Sequence, residues 1–269
     1  MTRTTPILVA CLGALGLFLT ATPIRAQLSD AAWNETLTLT TNLGTDYYPG
    51  VDPAVPEPQV GSLSGTNYGA DGSVTFGSGP PNVTSSANAT YTSGITYLGV
   101  TSYCRIDFQF AVRQTSAPPV AVTTVPVNVT VQGTVGVAGG IFASAFSTVN
   151  LATFQGPIAS WAAGVDNSAG TATDGFNETV QIDLAPDLVV DGDMTADAGI
   201  AGEVLVTGTF ATASSWVDPV IAVADETIPG SSDSYRDHYE IEFSPGYYAL
   251  DQSPVERTTW GKIKRLYGD

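Results

Sequence analysis

Residues 103–113 read YCRIDFQFAVR, and this stretch decides the fold. Apolar side chains occupy every second position, and most of the positions between them are polar or charged. The two sets are Cys104, Ile106, Phe108, Phe110 and Val112 on one side and Arg105, Asp107, Gln109 and Arg113 on the other. A period of two is typical of a β-strand with one face in a core. The stretch therefore predicts such a strand.

The same alternation recurs along the chain, in VPVNVTVQG (125–133), ETVQIDL (178–184) and HYEIEF (238–243). We expect further strands at 33–41, 73–77, 141–154, 203–213 and 218–223. Clusters of Gly, Pro, Asn and Ser between them predict turns. No convincing helical periodicity precedes residue 258. Consecutive strands joined by short turns favour antiparallel pairing, so the expected fold is all-β, an antiparallel sandwich or jelly roll formed by one domain over 27–254.

The first 26 residues have the pattern of a secretory signal. Arg3 precedes an apolar run from Ile7 to Ala21, and Ala26 ends the segment at the expected cleavage site. Such a run is too short to span a membrane, so we expect export. An alternative, a lipoprotein signal at LVAC (8–11), is disfavoured because the apolar run continues past Cys11. The expected location is secreted or at the cell surface.

Composition excludes several partners. The 269-residue chain has a formal net charge of −17, and no Lys or Arg occurs between Arg113 and Arg236. Nucleic acid and anionic membranes are poor partners for such a surface. Cys104 is the only cysteine after the signal, which excludes an internal disulfide.

An acidic stretch, DLVVDGDMTAD (187–197), is the candidate metal site. It contains Asp187, Asp191, Asp193 and Asp197, and carboxylate oxygens are the ligands that calcium prefers. The stretch lacks the glycine and the closing glutamate of an EF-hand loop. A solvated acidic turn between strands is the alternative, and otherwise no cofactor is expected.

The segment 42–72 is rich in Gly, Pro and Tyr and predicts a long connection. Tyr47, Tyr48 and Tyr68 lie in it. These rings would suit a platform on which sugars stack, or they would pack the loop onto a sheet.

Catalytic signals are weak. A Ser-His-Asp triad would have to use His238, the only histidine, and no GxSxG elbow occurs. Cys104 lies on the inward face of its strand and is expected to be inert. Glu240 and Glu242 share a strand face at about 6–7 Å, and HYEIEF faintly resembles the E-x-D-x-E strand of jelly-roll glucanases. That match fails at His238, where the nucleophile should stand, so we expect no enzyme.

The stretch from Ser215 to Tyr247 is similar to the terminal strand pair of bacterial exported β-sandwich proteins of the PEP-CTERM kind. In that group a D-P-x-I segment is followed by a strand ending in Y-x-(I/L)-x-F-S-P-G. The matching residues are Asp218, Pro219, Ile221, Tyr239, Ile241, Phe243, Ser244, Pro245 and Gly246. The resemblance implies a bacterial surface or extracellular-matrix protein. That group ends in a Pro-Glu-Pro triplet, a membrane span and a basic cluster, and residues 255–269 do not match this order, so we do not expect anchoring by that route.

The chain ends instead in a basic tail, 255–269. Its four apolar and aromatic residues, Trp260, Ile263, Leu266 and Tyr267, recur at three- and four-residue spacing and would share one side of a short helix. Basic residues flank that side. The tail residues are Trp260, Lys262, Ile263, Lys264, Arg265, Leu266 and Tyr267. A helix this short needs a surface to lie on. The tail either docks on the acidic body or serves as a sorting signal.

These observations favour an exported, non-enzymatic β-sandwich of the cell surface or matrix, acting in adhesion, coating or assembly. Its expected partners are surface or matrix components, with homo-assembly also open. A carbohydrate-binding module, aided by calcium or not, is the alternative function.

Overall fold

The computed structural model describes residues 26–41, 44–49, 59–65, 68–76, 82–91, 97–139, 142–167, 170–203 and 210–247. These ranges form thirteen β-strands and a single turn of 3-10 helix, Tyr235–Asp237. The strands are β1 (Ala32–Thr41), β2 (Gly44–Pro49), β3 (Gln59–Gly65), β4 (Tyr68–Phe76), β5 (Val83–Tyr91), β6 (Tyr97–Gln114), β7 (Val125–Gly139), β8 (Ala143–Thr153), β9 (Gly156–Asn167), β10 (Gly170–Leu184), β11 (Val189–Glu203), β12 (Phe210–Val223) and β13 (Tyr239–Phe243).

The strands form two antiparallel sheets packed face to face. The seven-stranded sheet has the order β2-β1-β6-β11-β8-β9, and β13 pairs with β6 beyond the end of β1. The six-stranded sheet has the order β10-β7-β12-β5-β4-β3. The expected antiparallel sandwich is therefore confirmed. Successive strands pair as hairpins only at β1–β2, β3–β4–β5 and β8–β9, and elsewhere the chain crosses between the sheets, as in a jelly roll.

Several strand predictions need correction. The segment 42–72, expected to be one long loop, contains β2, β3 and the first residues of β4. The stretch expected to be an acidic turn is mostly β11, whose inward positions include the small residues Gly192 and Ala196 on either side of Met194. Small side chains do not produce the apolar signal of a strand, so the sequence pattern missed it.

The strand β12 is continuous, although two separate strands were expected at 203–213 and 218–223. β5 pairs with β12 only as far as Val217, so Pro219 lies where β12 has one free edge within the described part of the chain. Proline is tolerated at such positions because it has no N–H to contribute to a ladder. The two strands of the expected terminal pair, β12 and β13, belong to different sheets and do not pair.

The interior is divided into two apolar clusters along the strand direction. One contains large side chains, including Trp33, Phe108, Phe110, Trp161 and Met194. The other cluster is rich in alanine and also contains leucine, valine and isoleucine. The sandwich therefore has a wide end and a narrow end, each filled by side chains of matching size.

A belt of buried polar side chains separates the two clusters. Its members are Glu35, Ser85, Ser102, Ser147 and Ser215, each on a strand between a residue of one cluster and a residue of the other. Ser85 donates to the carbonyl of Ala196 at 2.9 Å, and Ser215 donates to that of Phe146 at 2.7 Å. Both bonds cross from the six-stranded to the seven-stranded sheet. They give the sheets a specific alignment that apolar packing alone does not.

The open side between the edge strands β9 and β10 is closed by side chains. The indole Nε1 of Trp161 donates to Glu178 at 3.0 Å, and the backbone N–H of Gly164 donates to Asp174 at 3.2 Å. The carboxylate of Asp174 thus occupies a backbone donor on the edge of β9. Occupied edge donors and nearby charges disfavour pairing with another chain.

Arg113 joins three distant segments at the wide end. It points outward from β6 but is only 3% exposed, because the segment that precedes β1 and the turn before β11 cover it. Its guanidinium donates to Glu242 on β13, to Asp187 at 2.8 Å and to the carbonyl of Ala26 at 2.5 Å. Desolvation opposes the charge, yet these bonds leave the pKa of Arg113 raised. The guanidinium is therefore charged, and its bonds to Glu242 and Asp187 are the ones that remain once the expected signal, which includes Ala26, is removed.

We expect Arg113→Ala to lower the free energy of unfolding by about 2–3 kcal/mol, since it removes charge-assisted hydrogen bonds whose acidic partners remain half exposed. Arg105→Ala is the matched control, because Arg105 is on the same strand but 42% exposed, and it should cost less than about 1 kcal/mol. Urea denaturation followed by tryptophan fluorescence measures both. Equal losses would contradict the assigned role of Arg113.

Candidate functional site

A groove on the outer face of the seven-stranded sheet is the candidate site. Its volume is about 440 Å³, within the range of small-ligand sites. The walls come from the segment before β1, from β6 and β11, and from β8. The side chains that carry its chemistry are Arg105, Asp107, Gln109, Asn150, Asp191 and Asp193.

The floor of the groove belongs to a row of polar side chains in register across adjacent strands, and the row ends outside the groove at Ser160. Asp107, Asp193, Asn150 and Ser160 are direct cross-strand neighbours on β6, β11, β8 and β9. Asn150 donates to Asp193 at 3.1 Å and accepts from Ser160 at 2.6 Å. Side chains at one register position on one sheet face lie within hydrogen-bonding reach. The row is therefore held by the sheet itself.

A second pair lies one step along the strands. Gln109 donates to Asp191 at 2.8 Å, and its side-chain oxygen accepts from the backbone N–H of Ser29 at 2.8 Å. The segment before β1 thus forms one wall of the groove and orients the amide. The Ser244 hydroxyl fixes the Gln109 backbone by accepting from its N–H at 2.6 Å.

The groove is acidic, and its positive charge is neutralised internally. Arg105 bonds Asp107 at 2.7 and 3.0 Å and lies 3.9 Å from Asp193. The hydrogen bond to Asp107 is the main reason why the pKa of Arg105 is raised. Asp191 adds a further negative charge. The groove therefore offers many acceptors, a few fixed donors and no free cation among the described residues.

The four aspartates of the sequence prediction do not form one group. Asp187 precedes β11 in a left-handed conformation (φ 63°) and binds Arg113. Asp191, Asp193 and Asp197 share the outward face of β11, and only the first two line the groove. In the part of the chain that the structure describes, no three His, Cys, Asp or Glu side chains are grouped so as to hold a metal ion. The calcium site stays a prediction from sequence.

Asp197 lies outside the groove, between two aromatic neighbours. Its cross-strand partners are Tyr103 on β6 and Phe146 on β8. Burial raises the pKa of the Asp197 carboxyl above its ordinary value, and burial also raises that of the Tyr103 phenol. The Phe146 ring is held over Gly164 of β9, where the nearest ring atom would lie 2.8 Å from an added Cβ. Glycine is required there to make room for the ring.

The other predicted site residues are only partly described. Tyr47 lies on β2 in the seven-stranded sheet, and Tyr68 lies on β4 in the six-stranded sheet. The side chains of Tyr47, Tyr48 and Tyr68 lie outside what is described, as do residues 1–25 of the predicted signal and the predicted basic tail with Trp260. No helix in the described ranges is long and apolar enough to cross a membrane.

Cys104 is buried among apolar side chains and has a free thiol. Burial, with a smaller contribution from the negative charge of Glu35, holds the pKa of this thiol well above its ordinary value. The inward position predicted from the alternation is thus confirmed.

Of the two glutamates on β13, Glu242 is bound to Arg113 and Glu240 is exposed, and neither lines the groove.

His238 has partners that its sequence neighbourhood does not reveal. Its Nδ1 lies 2.8 Å from the Ser116 hydroxyl and its Nε2 lies 3.1 Å from Asp233. Ser116 is 122 residues away in sequence, directly after β6. No local motif links these residues, because the contact depends on β13 pairing with the end of β6.

Sequence reasoning found Arg105, Asp107 and Gln109 as outward positions but did not identify them as a site. Asn150 and Ser160 were missed. The only indication in the sequence is that both residues lie at outward positions of their strands. Their alignment depends on the register of the β8–β9 hairpin, which has a bulge between Leu151 and Ala152. A register shift at a bulge is not visible in the sequence pattern.

No protein-family model matches the chain, and no curated protein matches it. Three of the solved structures to which the chain is similar show a distant likeness. The carbohydrate-binding module TmCBM61 in complex with β-1,4-galactotriose has 7% identity and a TM-score of 0.22, over 62% of this chain and 88% of that one. The structure of infectious bursal disease virus strain Gx has 8% identity and a TM-score of 0.21, over 84% and 77%. The enzymatically active domain of tailspike protein 4 from bacteriophage CBA120 has 10% identity and a TM-score of 0.16, over 70% and 19%. Likenesses at this level carry no argument about function.

Replacing Asp197 tests the desolvation of the outer face. Burial raises the pKa of the Asp197 carboxyl in the folded chain. As the pH rises, this carboxyl therefore ionises near its ordinary value of 3.8 in the unfolded chain but keeps its proton to a higher pH in the folded chain. The ionised carboxylate therefore costs stability above that pH. We expect Asp197→Asn to raise the urea midpoint at pH 7, and the gain to shrink as the pH falls toward 3.8.

Asp183→Asn is the control, since Asp183 is an exposed carboxylate on β10. It should change the free energy of unfolding by less than about 0.5 kcal/mol. A loss of stability at pH 7 in Asp197→Asn would show that the carboxylate is stabilised rather than desolvated.

Proposed function

We propose that this chain is an exported β-sandwich protein of the bacterial cell surface or extracellular matrix, and that it acts by binding carbohydrate in the groove on the seven-stranded sheet. The single observation that supports this most is the row of carboxylate, amide and hydroxyl side chains across four strands. The row is already ordered by its own hydrogen bonds.

Sugars suit this chemistry because each hydroxyl both donates and accepts. Carboxylates such as Asp107, Asp191 and Asp193 accept hydrogen bonds from sugar hydroxyls, and the amides of Gln109 and Asn150 can serve in both roles. Ordering these groups before the ligand arrives reduces the entropy lost on binding. A shallow site on a rigid sheet also leaves room for a long polymer to extend beyond its ends.

Charge argues against other ligand classes. The groove contains four carboxylates, those of Asp30, Asp107, Asp191 and Asp193, and one guanidinium, that of Arg105. Phosphates and acidic polymers would be repelled by this balance and by the net charge of −17. Neutral or amine-bearing glycans fit it.

The surface or matrix role rests on the N-terminal signal and on the resemblance of β12 and β13 to exported proteins of the PEP-CTERM kind. The closed β9–β10 side supports a protein that stays soluble at high concentration outside the cell. Adhesion or coating would then follow from binding a glycan of the matrix.

The test is glycan binding by the full chain, measured by array screening and then by calorimetry, with and without EDTA. We expect the double variant Asn150→Ala, Asp193→Asn to weaken binding by at least about tenfold, which corresponds to losing one charge-assisted hydrogen bond. Unchanged binding in EDTA would assign the affinity to the polar row, and loss of binding in EDTA would support the calcium prediction instead.

The matched control is Asn177→Ala, Asp183→Asn on β10, which changes the same residue types on exposed positions away from the groove. Its affinity should stay near that of the unmodified chain. Equal binding by both double variants would contradict the groove as the site. The chain expressed with residues 1–26 should be recovered outside the cytoplasm, and retention inside would contradict export.

A further inference from the structure

His238 links a serine hydroxyl to a carboxylate at the wide end of the sandwich, away from the groove. The Ser116 Oγ lies 2.8 Å from His238 Nδ1, and the Asp233 Oδ2 lies 3.1 Å from Nε2. His238 is 9% exposed, and Ser116 lies on the surface. A nucleophile, a base and a carboxylate that orients the base are the three parts of a serine-hydrolase centre.

The carboxylate sets the direction of the hydrogen bonds. Ionised Asp233 can only accept, so the neutral imidazole must carry its proton on Nε2. The Nδ1 lone pair then faces Ser116, and the hydroxyl donates its proton to it. Ser116 Oγ also lies 3.3 Å from the carbonyl of Asp237, but the imidazole is the closer acceptor. With its proton on Nε2, the imidazole presents at Nδ1 the acceptor that removing the serine proton requires.

The loop that carries Asp233 and His238 is held by its own bonds. Ser234 and Asp237 form a reciprocal capping box at the start of the 3-10 helix. The Ser232 hydroxyl donates to the other carboxylate oxygen of Asp233 at 3.3 Å, and the backbone N–H of Asp233 donates to Ser231 at 3.0 Å. The base and its carboxylate thus keep their geometry without substrate.

The serine is positioned by backbone pairing. The N–H of Thr115 donates to the carbonyl of His238 at 2.8 Å, which continues the β6–β13 ladder up to Ser116. The next residue, Ala117, is exposed, and its N–H has no acceptor in the described part of the chain. The amide after a nucleophilic serine is a usual donor to the oxyanion of the tetrahedral intermediate.

We propose that Ser116 and His238 are catalytic residues that hydrolyse carboxylic esters with small acyl groups, and that Asp233 positions His238. This activity goes beyond binding and revises the expectation of no enzyme. Ser116 is exposed on the surface, which suits an ester on a larger polymer.

The reaction balances with water as the second substrate. The Ser116 proton moves to His238 Nδ1 as Oγ bonds the acyl carbon, and the carbonyl π pair moves to oxygen. The intermediate collapses, the ester C–O bond breaks, and the leaving alkoxide takes the proton from Nδ1. Water then loses a proton to Nδ1 and attacks the acyl carbon. The bond between the acyl carbon and Oγ breaks, the carboxylic acid leaves, and Oγ of Ser116 takes the proton back from Nδ1.

The experiment uses the purified full chain, p-nitrophenyl acetate and a fluorophosphonate probe whose adduct is located by mass spectrometry. We expect an adduct on Ser116, and turnover at least about 100-fold above that of Ser116→Ala. Ser214→Ala is the matched control, since Ser214 is exposed on β12 outside both sites, and it should keep full turnover and labelling. Ser116→Ala should keep its melting temperature because the side chain is exposed.

Asp233→Asn tests the positioning role. It should lower kcat and leave KM nearly unchanged, and Asp233→Glu should restore part of kcat. If the three side chains served only to hold the loop, these variants would change the melting temperature without changing turnover. An adduct elsewhere, no adduct at all, or equal turnover in Ser116→Ala would overturn the proposal. Each of these outcomes is independent of glycan binding in the groove.

Discussion

Burial of the inward stripe of β6 is the interaction on which the rest of the structure depends. Ile106, Phe108 and Phe110 are buried at the centre of the wide end, beneath valines of β7 and the side chains of β11. β6 pairs with β1, β11 and β13, so it fixes the positions of three neighbours at once. Turning this strand over would bury Arg105 and Asp107 and expose three large apolar side chains, at a cost of several kcal/mol.

Both candidate sites follow from that constraint. Because the even positions of β6 face inward, Arg105, Asp107 and Gln109 must face outward, where β11 and β8 supply Asp193 and Asn150 in register. The same strand ends at Gln114, two residues before Ser116, and the pairing of β13 with its last residues brings His238 to Ser116. The buried polar belt between the clusters adds alignment between the sheets, so that the outer face keeps one register. A rigid scaffold with polar groups on its surface suits recognition of an extended polar ligand.

How much the sequence predicted depends on the size of the inward side chains. β6, β7 and β13 have large apolar residues at alternate positions and were predicted as strands, as was the sandwich. The bounds of β13 were correct to within one residue, whereas β6 begins and β7 ends six residues beyond the predicted bounds. β11 places Gly192, Ala196 and Ala198 inward, so its aspartates were interpreted as a turn. The groove needs the register of four strands, and the Ser116–His238 contact joins residues 122 positions apart. Neither long-range pairing nor a bulge leaves a local pattern, so both sites required the structure.

Native-state hydrogen exchange tests the central claim most directly. If burial of β6 holds the sandwich together, the amides of Ile106, Phe108 and Met194 should exchange only through global unfolding, with the free energy obtained from urea denaturation. Amides of the edge strand β10, such as those of Phe176 and Val180, should exchange faster through local opening. Exchange of the β6 amides as fast as that of β10, with a free energy well below the global value, would contradict the account.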